Sequence, residues 1–388
     1  MTETIGAKRQ VELEAYLRRR IDAAGGIPFA EFMEHCLYHS DWGYYMVPRS
    51  RIGKQGDFFT SSSVHALFGR LLARQLWQCL ELLGGGPLTL AEQGAGEGHL
   101  ALDILDALRE LAPDLYRSLR YRIVELSPDN RRRQAELLET HRQVIDWCSL
   151  EDLAGMEGVF LSNELVDAFP VHLVEKRDGE LREVFVVRKD EGFGEELRPL
   201  SSPLLAAHFE WLGVAPVEGN RAEVNLAAPR WLRQVAQLLR RGFVLTIDYG
   251  YPAAELYAPF RRQGTLLAYH RHQASDDLYR LVGQQDLTSH VDFTSLQQAG
   301  TEEGLTTLYF GEQYRFLMGL GFVEELIALQ ALETDQRRAQ ALRMTLKNLI
   351  LPDGGMGETF KVLLQGRGVG TPELLCARRL RDLPLPSL

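Results

Sequence analysis

Apolar residues recur at helical spacing in the region before Pro87, and beyond it the pattern changes to short apolar runs separated by helical stretches. Residues from about 8 to 23 predict an amphipathic helix. IPFAEFMEHCLYH predicts a second, with Pro28 near its first turn and Phe29, Phe32, Met33, Cys36 and Leu37 at helical spacing. DWGYYMVPRSRIGKQGDFFTSSS, rich in glycine, aromatics and hydroxyls, reads as a structured loop. The stretch from Val64 to Leu83 is helical in pattern until GGGP, ending at Pro87, breaks it. Four strands follow: LTLAEQ ending at Gln93, RYRIVEL at 120 to 126, GVFLSNE at 158 to 164 and FVLTIDYG at 243 to 250. Between the first two, Leu100, Ile104, Leu108 and Leu111 mark one stripe of a helix. VHLVEKRDGELREVFVVRKD alternates like a hairpin around Asp178-Gly179, and a helical stretch then leads to Pro229. A second irregular stretch runs from Pro252 to about Gly304, and MGETFKVLLQGRG reads as a last strand.

Strands alternating with helices predict an α/β fold with a mostly parallel, doubly wound sheet. The expected layout is a helical N-terminal cap and lid loop at 1–63 and a main domain at 64–388, interrupted by insertions at about 171–228 and 252–304. With 388 residues the chain can bury a large core, and 45% hydrophobic with 25% charged residues is globular usage that excludes a disordered or fibrous chain. The formal charge of -10 removes the nonspecific attraction on which most nucleic-acid binding relies. Cys36, Cys79, Cys148 and Cys376 are too scattered for a disulfide framework or zinc knuckle, which suits a reducing compartment. The first residues lack an apolar signal segment, so a cytoplasmic protein is expected. No apolar stretch reaches the roughly 20 residues of a membrane span.

The strongest chemical signal is Glu92-Gln93-Gly94-Ala95-Gly96-Glu97-Gly98, directly after a strand and before a helix. Such a turn lets the backbone approach a ligand closely and points free helix N–H groups at it. The dinucleotide fingerprint would need glycine at 99, where this chain has His99, which weakens a nicotinamide-dependent oxidoreductase reading. An acid at the end of the neighbouring strand, Glu125, is placed to accept hydrogen bonds from ribose hydroxyls. At the end of the GVFLSNE strand, Asn163, Glu164 and Asp167 crowd into an apolar stretch, costly unless they are paired or used, although Glu164 and Asp167 could equally cap the following helix.

Together these motifs resemble the seven-strand, S-adenosylmethionine-dependent methyltransferases. That resemblance implies Glu92 near the methionine amino group, Gly94, Ala95, Gly96 and Gly98 beneath the cofactor, and Glu125 at its ribose, with Leu126 beside it also among the cofactor-binding residues. It also implies Ser149 and Leu150, after the third strand of that fold, near the adenine, and Asn163 at the cofactor edge. NELVDAFPV, GDFFT at 56 to 60, IDYGY at 247 to 251, QDLTSHVDF at 285 to 293 and GGMGETFKVL at 354 to 363 occur in collinear order. The chain therefore resembles the MidA-like family of protein arginine methyltransferases, which serve respiratory complex I assembly. The resemblance implies arginine of a complex I subunit as the substrate. An assembly chaperone that binds the cofactor without turnover is the other reading.

Arginine methylation needs an in-line approach, exclusion of water, and removal of a proton from a group whose pKa exceeds 12. Two carboxylates can hold the guanidinium fork, and Glu164 and Asp167 are the catalytic candidates. Asp57 and Thr60 of GDFFT could hydrogen-bond the cofactor or close a lid over it, or the motif could be a packed turn. Tyr45, Asp248, Tyr249, Asp286 and His290 are expected to line the substrate cleft, with turn capping the alternative for Asp248. Asp286, Thr288, His290 and Asp292 share one face if extended, more in keeping with a polar cleft wall than with a metal site, and no metal is expected.

Overall fold

The computed structural model describes residues 2–49, 65–190, 192–332, 335–347, 349–351 and 357–378. The chain forms two compact units: residues 59–165, 233–249 and 300–388 make one, and residues 1–58, 166–232 and 250–299 the other. The first unit holds seven strands that follow one another across a sheet. Its strands are β1 (Thr89–Gln93), β2 (Arg120–Val124), β3 (Ile145–Trp147), β4 (Met156–Asn163), β5 (Leu239–Tyr251), β6 (Thr306–Glu312) and β7 (Phe360–Arg367). Their spatial order is β3-β2-β1-β4-β5-β7-β6. Pairing is parallel from β3 to β5, and β7 alone runs antiparallel to its neighbours β5 and β6.

Central strands read as near-continuous apolar runs because both faces are covered. Leu67, Leu71, Leu76 and Leu80 of helix α1 (Leu67–Leu83) and Leu100, Ile104 and Leu108 of α2 (His99–Leu111) join Leu90, Tyr121, Leu161 and Leu245 in one buried cluster. The stripe inferred for α2 is thus its core face, except that Leu111 is 37% exposed at the helix end. The edge strands β3 and β6 are half-exposed, so neither stands out in the hydropathy pattern. Strand β2 ends at Val124, leaving Glu125 and Leu126 in the turn beyond it.

In the other unit, His172–Arg177 and Glu180–Lys189 form the expected hairpin, turning at Asp178 (φ 54°) and Gly179 (φ 81°). Two further strands, Gly192–Arg198 and Arg221–Val224, extend it, and Ile27–Pro28 completes a five-stranded sheet. The stretch leading to Pro229 is not one helix. Helix Leu204–Leu212 comes first, then the strand Arg221–Val224, and Pro229 lies in the first turn of helix Ala227–Leu238, where a missing N–H leaves no intrahelical bond broken. The segment from Pro252 to Gly304 is likewise more ordered than its sequence suggests. It contains a three-stranded sheet (Gln273–Ser275, Leu267–His270, Asp286–Thr288) and the helix Phe293–Glu302. Its strands are short and polar, so hydropathy does not mark them. Leu13, Leu17, Phe29, Phe32, Val184, Val186 and Leu287 belong to the core of this unit.

Where β1, β4 and β5 approach one another, Gly158 (φ 150°) stands opposite Thr89 and Gly242. A Cβ on Gly158 would lie 1.7 Å from the Thr89 carbonyl oxygen. Backbone cannot yield as a side chain can, so Gly158→Ala should lower unfolding free energy by more than about 3 kcal/mol in a denaturant titration, and a loss under about 1 kcal/mol would contradict this register.

Candidate functional site

Strand β1 delivers the chain into a turn that only glycine follows without strain: Gly94, Gly96 and Gly98 have φ of 75°, 57° and 94°. Gly94 N–H donates to the Val124 carbonyl at 3.0 Å, fastening the end of β1 to the end of β2. A Cβ on Gly94 would meet Leu165 Cδ1 at 2.8 Å. Gly98 caps α2 in the left-handed conformation, and the helix N-terminus opens onto the turn.

The Glu125 carboxylate accepts from Ser127 N–H at 2.8 Å and from Gln134 Nε2 at 3.1 Å, with Asn130 Nδ2 at 3.4 Å. Asn130 and Gln134 come from one face of helix α3 (Pro128–Leu137). Leu126 beside it is 70% exposed. After β3, Trp147 Nε1 donates to Gln134 Oε1 at 2.8 Å. The Ser149 hydroxyl and N–H both donate to Asp152 Oδ2 at 2.8 Å, drawing Asp152 below the usual carboxylate range, while Leu150 starts the turn that follows.

Glu92, 2% exposed, accepts from the Tyr121 hydroxyl at 2.5 Å. Burial pushes its carboxyl up to about 7; the Tyr121 bond lowers it and nearby Glu125 raises it. No lysine or arginine pairs with it among the described residues. Sequence reasoning missed Tyr121 and Gln134, since a polar residue on a strand or helix gives no sign of its partner.

At the end of β4, Glu164 adopts φ 51°, a strained position for a non-glycine residue, and its N–H donates to the Ile247 carbonyl at 2.9 Å. Asn163 Nδ2 donates to Glu164 Oε1 at 3.1 Å. Asp248 is fully buried, accepting from Leu165 N–H at 3.2 Å and Tyr249 N–H at 2.9 Å, and Tyr249 packs edge-on against Phe360. Asp248 thus caps a turn and presents no open face for a substrate.

The other unit gathers acids and aromatics. Tyr45 donates to both oxygens of buried Asp286, at 2.8 and 2.9 Å, and stacks on Tyr38. Tyr38 donates to the Ala168 carbonyl, and Ser289 N–H donates to the Asp167 carbonyl. Burial, followed by the carboxylates of Asp286 and Asp167 among other neighbours, holds the Tyr45 phenol well above its ordinary value; burial, then Asp167 and Asp286, also raise Tyr269. Tyr38 and Tyr269 were not singled out in the sequence. The row expected from QDLTSHVDF is split between two surroundings: Asp286 meets Tyr45, whereas Asp292 caps helix Phe293–Glu302 through Thr294 and Ser295 and lies 3.8 Å from His208. Burial and Arg261 push His290 down to about 4. Among the described residues, no group of three or more His, Cys, Asp or Glu could hold a metal ion, and no helix is long and apolar enough to cross a membrane. Asp57 and Thr60 lie outside the described residues.

A family profile described as S-adenosyl-L-methionine-dependent methyltransferase matches residues 71–311. The chain belongs to this methyltransferase family. A crystal structure of a Burkholderia thailandensis protein bound to S-adenosyl-homocysteine superimposes with a TM-score of 0.86 at 34% identity, covering 97% of this chain and 98% of that one. Among curated proteins, protein arginine methyltransferase NDUFAF7 of Danio rerio is 29% identical over 89% of this chain and 85% of its own length. The Drosophila melanogaster homologue is 27% identical over 92% and 85%. The enzyme uses S-adenosylmethionine, and its residues fit that cofactor: a turn that a Cβ would obstruct, a buried acid with no charged partner among the described residues, and a strand-end acid beside that turn. The names of both relatives place them in mitochondria, which corrects the expectation of a cytoplasmic protein. Scattered cysteines and a charged N-terminal region suit any reducing compartment, so they could not distinguish the two.

A carboxyl whose folded pKa is raised favours the folded state below its unfolded value and loses that contribution as pH rises through about 7. Glu92→Gln should therefore stabilise the cofactor-free protein at pH 8 by on the order of 2 kcal/mol, a gain that shrinks toward pH 4.5 in denaturant titrations. A gain independent of pH would contradict a buried, titrating Glu92.

Proposed function

We propose that the enzyme methylates an arginine side chain of a protein, a subunit of respiratory complex I being the substrate. The supporting observation is the cluster of Asp167 and Asp286 with Tyr38, Tyr45 and Tyr269. Carboxylates accept the N–H fork of a guanidinium, and tyrosine rings suit its flat cationic face. The relatives' names as arginine methyltransferases agree with this reading.

In the proposed arrangement the turn from Gly94 to Gly98 passes beneath the cofactor, Glu125 accepts from its ribose hydroxyls, and Glu92 faces its ammonium. Leu126, Ser149 and Leu150 flank the adenine, and Asn163 stands at the cofactor edge. When bound, S-adenosylmethionine supplies an electrophilic methyl group. Glu164 and Asp167 orient one guanidinium nitrogen and hold the charge while the proton leaves.

With labelled cofactor and purified complex I subunits, Glu164→Gln and Asp167→Asn should each reduce kcat by about 100-fold or more while cofactor Kd changes by less than about threefold. Unchanged turnover in both would remove them from the mechanism. Cofactor binding with no methyl transfer to any arginine would instead support an assembly role without turnover.

A further inference from the structure

We propose that Gln134 is a positioning residue for the nucleoside, acting through Glu125. Its side chain lies within α3 and is fully buried, yet all of its polar atoms are used. Trp147 Nε1 is only a donor, so the atom facing it at 2.8 Å must be the amide oxygen. That fixes the amide's orientation. Both N–H groups then point at acceptors, the Gly96 carbonyl at 2.8 Å and Glu125 Oε2 at 3.1 Å. One side chain thereby ties the glycine turn after β1 to the acid after β2 and to the tryptophan of β3. No other residue type of this length offers two donors and one acceptor in that arrangement.

The consequence for binding rests on the reading of Glu125 as the ribose acceptor. A carboxylate side chain sweeps a wide arc when free, and two hydroxyls need both of its oxygens in one plane. Gln134 and Ser127 N–H hold one oxygen each, at 3.1 and 2.8 Å, fixing that plane before ligand arrives. Gly98 lies against the same side chain: a Cβ there would come 3.2 Å from Gln134 Cγ. Replacing the amide with a carboxylate keeps its size but removes the paired donors. Ionised, Glu at 134 repels Glu125 and the Gly96 carbonyl; protonated, it can donate to only one of them.

The test compares two ligands on the full chain by calorimetry: S-adenosylhomocysteine, and the same thioether lacking the ribose 2′- and 3′-hydroxyls. Gln134→Glu should weaken the first by about tenfold or more and the second by less than about threefold. Gln134→Met, which has no donor, should show the same split and serves if the charged variant does not fold. Equal loss on both ligands, or loss on neither, overturns the proposal, because a merely structural role would not distinguish them. Glu125→Gln provides the separate control. If it treats the two ligands alike, the ribose reading fails; if it discriminates while the Gln134 variants do not, only the Gln134 inference fails.

Discussion

The hydrogen bond from Gly94 N–H to the Val124 carbonyl is the constraint from which the proposed cofactor site is built. It joins the ends of the first two strands just where both leave the sheet, so the glycine turn and Glu125 emerge side by side. A side chain at Gly94 would drive into Leu165, and one at Gly98 would press on Gln134. The turn therefore trades side chains for backbone proximity, and the surrounding polar atoms are fixed by neighbours instead.

Burying so many polar groups is costly unless each has a partner or a task. Most have partners: Tyr121 for Glu92, Gln134 and Ser127 for Glu125, Leu165 and Tyr249 for Asp248. Glu92 nevertheless sits at about 7 because its one hydroxyl donor does not offset burial. A protein cation there would relieve the carboxylate but would also compete with a cationic ligand. In the other unit Asp286 likewise accepts from a phenol, taking two contacts from the Tyr45 hydroxyl. Both acids accept from tyrosine hydroxyls.

The parts of this account visible in the sequence are those that backbone geometry dictates. A glycine turn after an apolar run, an acid at a strand end and a hairpin at Asp178-Gly179 all follow from local chain requirements. Edge strands β3 and β6 were not visible, since a half-exposed strand lacks the apolar run of a central one. Side-chain partnerships were hidden more deeply. Tyr45 and Asp286 are 241 residues apart, and their meeting depends on how the inserted segments pack rather than on any spacing. The even alternation of QDLTSHVDF was misleading for a related reason: the segment breaks into two short strands, and its acids face different neighbours.

The most direct measurement is a crystal structure with S-adenosylhomocysteine bound. This account requires the nucleoside over the turn from Gly94 to Gly98, its ribose hydroxyls within hydrogen-bonding distance of Glu125 and its ammonium facing Glu92. A nucleoside held elsewhere, with Glu125 bonded only to Ser127, Asn130 and Gln134, would contradict it.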